Sequence, residues 1–216
     1  MSIDLRRSPE MRDDTARTEA FSDGVFAIAI TLLVLDIKVP HDLPENTSLL
    51  RALLNQWPIY MAFLTSFATI GIMWLNHHRM FRYIRRVDHW FLVLNGLLLL
   101  GVTFVPFPTS LAAEYVLRPD RTVAVLIYTG TFTLIALAFN VMWWYAAHNH
   151  RLLDENADRR WVRSITGRYR FGPLLYFTAT LLALVNIWVS LFVNAALAVL
   201  FLLPYNGPPA SPTSAS

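Results

Sequence analysis

The amino-acid sequence predicts an all-α, polytopic integral membrane protein with six transmembrane helices and both ends in the cytoplasm. Three observations predict it. First, the 216 residues are 55% hydrophobic and only 15% charged, against about 25% charged residues in an ordinary soluble domain. Second, the charges collect in a few blocks separated by long apolar runs, as expected where the solvent alternates between lipid and water. Third, the basic residues lie unevenly about those runs, in the way that orients a membrane protein.

Each crossing needs about 20 apolar residues to span a hydrocarbon core of about 30 Å. The first expected helix is 20–39, ended by Pro40, which lacks an N–H and clashes with the preceding turn. The second is 57–76, with Pro58 in its first turn. The third is 90–111, and Pro106 and Pro108 should kink its outer end. The fourth, 123–147, is slightly long and free to tilt. Residues 171–203 carry no charge and are long for one span. Asn186 and Ser190 offer a turn, which divides the run into helices 171–185 and 189–203; five spans is the alternative. These helices form a single transmembrane domain, 1–203. The Pro-, Ser- and Gly-rich segment 204–216 reads as a disordered tail.

Basic residues give the orientation. With the N-terminus inside, residues 1–19, 77–89 and 148–170 carry fourteen arginines, and the outer segments keep only Lys38, Arg51, Arg118 and Arg121. That asymmetry is a strong positive-inside signal and explains a pI near 9.4 without nucleic acid. The chain has no cysteine, so thiolate chemistry and disulfides are excluded. No cleavable signal peptide, phosphate-binding glycine loop, nucleophile elbow or zinc-protease helix is present. His148 and His150 lack a third ligand nearby, so no metal site is expected. No enzyme, cofactor or small-molecule substrate is implied.

The first helix departs from a plain apolar span. It places Asp23 about one turn inside the membrane, where an acid costs roughly 2.5–3.5 kcal/mol at the centre and less near an interface. Ser22 and Asp23 read either as caps of a helix N-terminus or as members of a buried polar cluster. The helical pattern continues upstream through Glu19 and Arg17, which favours the cluster. The donors expected at the same level are Asn76-His77-His78-Arg79, and Asp23 is expected to pair with Arg79 or His77. Gly24, Ile28, Thr31 and Leu35 share one face by their 4-3-4 spacing. Periodicity alone makes that stripe an ordinary packing surface.

Phe21-Ser22-Asp23, preceded by Arg17 and followed by an Ile/Leu-rich helix, resembles the Phe-Ser-Asp motif channels. These are bacterial relatives of the lysosomal potassium channel, of the transmembrane protein 175 type. The resemblance is specific over Arg17–Asp36 and extends to Asn76-His77-His78-Arg79 and the six-span layout. It implies a homotetramer in the cell membrane, built around a pore lined by the first helix. It further implies that Ile28 forms a hydrophobic constriction, Thr31 a polar layer one turn outward, and Leu35 a further apolar ring. The motif residues Arg17, Phe21, Ser22 and Asp23, with His77 and Arg79, then hold the neighbouring helices. The expected function is a potassium-permeable cation channel with modest selectivity over sodium, potassium being the permeant species near Ile28 and Thr31. The competing reading is a proton-linked transporter or proton leak in which Asp23 titrates.

Overall fold

The structure is a computed structural model that describes residues 9–41, 48–154 and 159–202. In chain order it contains α1 (Pro9–Leu32) with a 3-10 turn (Leu33–Asp36), α2 (Leu49–Asn55), α3 (Trp57–Phe81), α4 (His89–Phe104) and α5 (Pro106–Tyr115). There follow α6 (Arg121–Ala147) with a 3-10 turn (His148–His150), α7 (Arg159–Leu182) and α8 (Ile187–Leu202). The segment 204–216, expected to be a tail, lies outside the described residues. Among the described residues, four stretches are long and apolar enough to cross a membrane: Asp14–Asp36, Trp57–Phe81, His89–Tyr115 and Arg121–Ala147. The apolar helix α8 is shorter, at 16 residues.

Helix ends and lipid boundaries are different things, and two elements differ from expectation for that reason. α1 reaches back at least to Pro9 and α7 at least to Arg159, well before the apolar runs that begin at Ala20 and Phe171. Polar residues continue a hydrogen-bonded helix into water as readily as apolar ones continue it into lipid. α1 also changes pitch at its other end, where 3-10 bonding takes over at Leu33 and the chain becomes extended at Ile37.

The prolines bend the third span at Val105. Neither Pro106 nor Pro108 has an N–H to donate, and Val105 N–H turns to the Val102 carbonyl at 3.2 Å. A hydroxyl chain braces the bend. Thr109 Oγ1 donates to the Val105 carbonyl at 2.8 Å, Ser66 Oγ lies 2.8 Å from Thr109 Oγ1, and the Tyr128 hydroxyl lies 3.1 Å from Ser66 Oγ. Each oxygen therefore has a partner in a region without water.

α6 packs against α4, α5, α7 and α8, so it forms the centre of the bundle. Phe26, Ile70, Phe91, Leu98, Phe132 and Trp143 are among the side chains sealed in one core. Gly101 sets how closely α4 and α6 approach: a Cβ there would sit 2.9 Å from Ile135 Cγ1. At the arginine-rich end the α3–α4 connection clamps the segment after α6. Arg85 N–H donates to the Leu152 carbonyl at 2.9 Å, and Asp154 N–H to the Tyr83 carbonyl at 3.0 Å. Asn149, at φ 53°, supplies the left-handed residue that turns this segment back.

Asp88 closes the same end. Its Oδ1 caps α4 by accepting from Phe91 N–H at 2.9 Å, while its Oδ2 accepts from the Tyr145 hydroxyl at 2.7 Å and from Arg151 at 3.2 Å. Desolvation works against the charged form. The Phe91 N–H, Tyr145 and Arg151 outweigh it and hold the Asp88 carboxyl below the usual carboxylate range.

Candidate functional site

α1 has two faces with different neighbours. Ser22, Phe26, Ala29 and Leu33 recur at 4-3-4 spacing and are buried against the rest of the chain. α1 packs there on α3 and α4. Gly24, Ile28, Thr31 and Leu35 are exposed, with Ile28 at 58% and Leu35 at 67%. Phe21 and Arg17 continue the exposed side toward the N-terminus. An apolar strip of this length is left uncovered within one chain.

The Thr31 hydroxyl donates to the Ile28 carbonyl at 2.9 Å. Its proton is thereby committed along the helix, and the oxygen lone pairs remain as acceptors on the exposed side. The stripe thus offers an acceptor oxygen between two apolar side chains, Ile28 and Leu35.

The buried face is held by a directional chain of hydrogen bonds. Ser22 Oγ donates to the Thr18 carbonyl at 2.8 Å, so it is an acceptor for Asn95 Nδ2, 3.0 Å away. This orients the Asn95 amide, whose Oδ1 faces His77 Nε2 at 3.0 Å. The His77 proton therefore sits on Nε2, and Nδ1 has no partner. Ser22, His77 and Asn95 are all buried. The ring lies among Phe26, Phe81 and Phe139, with centroids 4.5 to 6.5 Å away.

Asp23 does not pair with Arg79 or His77. Its Oδ1 accepts from Trp74 Nε1 at 2.8 Å. One turn along each helix, Glu19 Oε1 meets His78 Nδ1 at 2.8 Å, and the Trp74 and His78 rings stack at 6.1 Å. Two rungs, Asp23–Trp74 and Glu19–His78, thus join antiparallel α1 and α3. Arg79 points elsewhere, and its guanidinium donates at 3.4 Å to the carbonyl of Leu202 at the end of α8. The physical reason is azimuth. Successive residues of a helix point about 100° apart, so the four residues Asn76 to Arg79 face in different directions.

Trp74 and Asn95 are the cluster members that sequence reasoning missed. Asn95 carried a signal, being a lone amide in an otherwise apolar span, where a polar side chain needs a partner. Among the described residues no group of three or more His, Asp or Glu side chains converges to hold a metal ion.

Comparison with known proteins adds to this geometry. Residues 17–106 match the family model described as the endosomal/lysosomal potassium channel TMEM175. Over 200 residues the chain is 54% identical to a potassium channel of Chamaesiphon minutus, a match covering 92% of this chain and 98% of that one. The chain belongs to the TMEM175 family. The fold agrees. A crystal structure of a lysosomal potassium-selective channel TMEM175 homolog from C. minutus superposes with a TM-score of 0.81 at 52% identity, over 88% of this chain and 96% of that chain. The human TMEM175 relative, named an endosomal/lysosomal proton channel, is 34% identical over 142 residues, covering 62% of this chain and 28% of its own length. These TMEM175 relatives are named as ion channels rather than enzymes. Both faces of α1 and the Asn95 cluster fall within the matched segment.

Proposed function

We propose that this chain is a potassium-permeable cation channel in the cell membrane, formed by four copies around a pore lined by the exposed face of α1. The single observation that carries this reading is the uncovered stripe Gly24, Ile28, Thr31 and Leu35 in a membrane-length helix whose other face is fully packed. The names of the C. minutus relatives support the permeant ion. Six crossings complete the subunit, with the apolar part of α7 and all of α8 as the fifth and sixth. The arginine asymmetry supports cytoplasmic termini.

In this reading four Ile28 side chains form the constriction, which closes by expelling water and opens when the α1 helices splay. Four Thr31 oxygens meet a partly dehydrated cation, and Leu35 makes an outer apolar ring. Such a pore has no stacked carbonyl rings, so it discriminates potassium from sodium only modestly. Of the motif residues, Ser22 and Asp23, with His77, set the rotation of α1, while Arg17 and Phe21 stand on its exposed side.

The test is potassium flux into liposomes containing the purified chain. Ile28→Asn is expected to raise leak, and Thr31→Val to shift the potassium-to-sodium permeability ratio. If the wild-type chain passes no potassium and neither substitution changes flux, the pore assignment fails. A proton pathway through Asp23 is the second reading, favoured by the name of the human relative. It predicts a reversal potential that follows the proton gradient, whereas the channel reading predicts one that follows potassium.

A further inference from the structure

The outward side of α7 changes chemistry part-way along the helix. Arg163, Gly167, Arg170, Leu174, Phe177 and Leu181 recur at spacings of four, three, four, three and four, which is one helical face. All six are exposed. The opposite side is fixed to α6. Val162 is buried there, Trp143 Nε1 donates to Thr166 Oγ1 at 3.0 Å, and Asn140 Nδ2 donates to the Tyr169 carbonyl at 2.7 Å. These bonds lock the rotation of α7 and hold the stripe outward.

The two arginines stand two turns apart, about 10 Å along the axis. Gly167 lies between them, and nothing occupies the space within 4 Å of where its Cβ would be. Beyond Arg170 the stripe is wholly apolar. The Arg170 guanidinium lies 5.7 Å from the Phe171 ring, at the border between the two regions.

We propose that this stripe binds one anionic phospholipid. The phosphate sits over Gly167 between Arg163 and Arg170, and an acyl chain runs along Leu174, Phe177 and Leu181. Each guanidinium presents paired donors that match phosphate oxygens. The glycine leaves open surface between the two arginines, which a side chain there would occupy. The change from arginine to leucine falls at one level, as a headgroup-to-acyl boundary requires. Charge complementarity selects a lipid over a second copy of the chain, because a copy would have to bring carboxylates to the arginines and an apolar surface to the rest.

The experiment is native mass spectrometry of the purified full-length chain, released from micelles holding equal phosphatidylglycerol and phosphatidylcholine. Wild type should retain phosphatidylglycerol in preference by about tenfold, equivalent to ~1.4 kcal/mol. Arg163→Gln with Arg170→Gln should abolish the preference. Gly167→Leu, which keeps both charges and occupies the open surface between them, should abolish it too. If that variant does not fold, the arginine pair decides. Arg82→Gln with Arg86→Gln, another basic pair, should leave the preference intact.

Four results overturn the proposal. One is an unchanged preference in the Arg163/Arg170 variant, and another is an equal loss in the Arg82/Arg86 variant. The third is displacement of the lipid by excess inorganic phosphate, which points to a phosphate site. Gly167→Cys gives a single thiol in a chain without cysteine. Disulfide dimers through that thiol would likewise overturn the proposal, assigning the face to a second copy.

Discussion

Asn95→Leu tests whether the buried amide is the link that fixes α1. The side chains are similar in size, so the substitution removes hydrogen bonds rather than packing. His77 loses the acceptor for its Nε2 proton and is left with no partner on either nitrogen. Stranding a buried donor costs about 1–3 kcal/mol. Ser22 loses the Asn95 donor but keeps its own bond to Thr18. That loss is smaller, about 0.6 kcal/mol on the average for hydrogen bonds between membrane helices. The total is about 1.6–3.6 kcal/mol. At about 2–4 °C per kcal/mol for a chain of this size, the apparent Tm in detergent should fall by roughly 3–14 °C. The control is the double variant Asn95→Leu with His77→Phe. It removes the stranded donor and places a fourth aromatic ring beside Phe26, Phe81 and Phe139. Removing both partners of a buried hydrogen bond costs less than removing one, so the double variant should recover at least ~1 kcal/mol of the single loss. Simple addition of the two single effects, or a single loss below ~0.5 kcal/mol, would refute the reasoning.

Further predictions concern the packing and the clamp. Gly101→Ala puts a Cβ 2.9 Å from Ile135 Cγ1 in a buried contact and should destabilise by about 1–3 kcal/mol. Gly96→Ala lies on the same helix with nothing within 4 Å of the new atom, and it should be neutral or stabilising by up to ~1 kcal/mol; equal effects at the two sites would refute the close-packing argument. Because the Asp88 carboxyl is held below its ordinary range, its contribution is complete above the unfolded pKa of about 3.9 and is lost as pH falls through the folded value. Asp88→Asn should lower the apparent Tm at neutral pH and flatten its fall between about pH 5 and the acid limit. A variant with wild-type acid dependence would show that other groups govern it.

Four of the apolar spans were legible because hydropathy marks runs long enough to cross a membrane. The start at Trp57, the bend at Pro106 and the apolar helix from Arg121 follow from apolar runs punctuated by proline. Hydropathy is silent where a helix leaves the membrane, which is why the extension of α1 and α7 into the polar residues before Ala20 and Phe171 was not legible. The polar cluster was legible in depth and not in direction. Asp23 and the segment Asn76 to Arg79 occupy one end of the bundle, but a shared level does not say which side chains face each other. The i, i+4 pairs Glu19/Asp23 and Trp74/His78 were the readable trace of the two rungs. Recognising them required knowing that α1 and α3 are antiparallel neighbours.

The stripe on α1 can be read as a packing surface or as the pore wall proposed above, and the rotation of the helix supports the second. A packing stripe belongs on the side a helix turns toward its own chain, and α1 has one, Ser22, Phe26, Ala29 and Leu33. Asn95, His77, Trp74 and His78 reach α1 from α3 and α4, so its rotation is not free. Gly24, Ile28, Thr31 and Leu35 are therefore held away from the core by the residues that anchor the opposite face. Lipid alone would be an adequate neighbour for Ile28 and Leu35, and Thr103 and Thr178 are also exposed with their hydroxyls bonded back to their own helices, so what sets Thr31 apart is its place between Ile28 and Leu35 on the stripe. In the proposed pore, that one acceptor would meet copies of itself around water and a cation. If the stripe is the proposed pore wall, loosening the anchor should loosen the pore. Asn95→Leu is expected to raise potassium leak in liposomes although it lies on the far side of the helix from Ile28. Unchanged flux in a measurably destabilised variant would break the link between the cluster and the stripe.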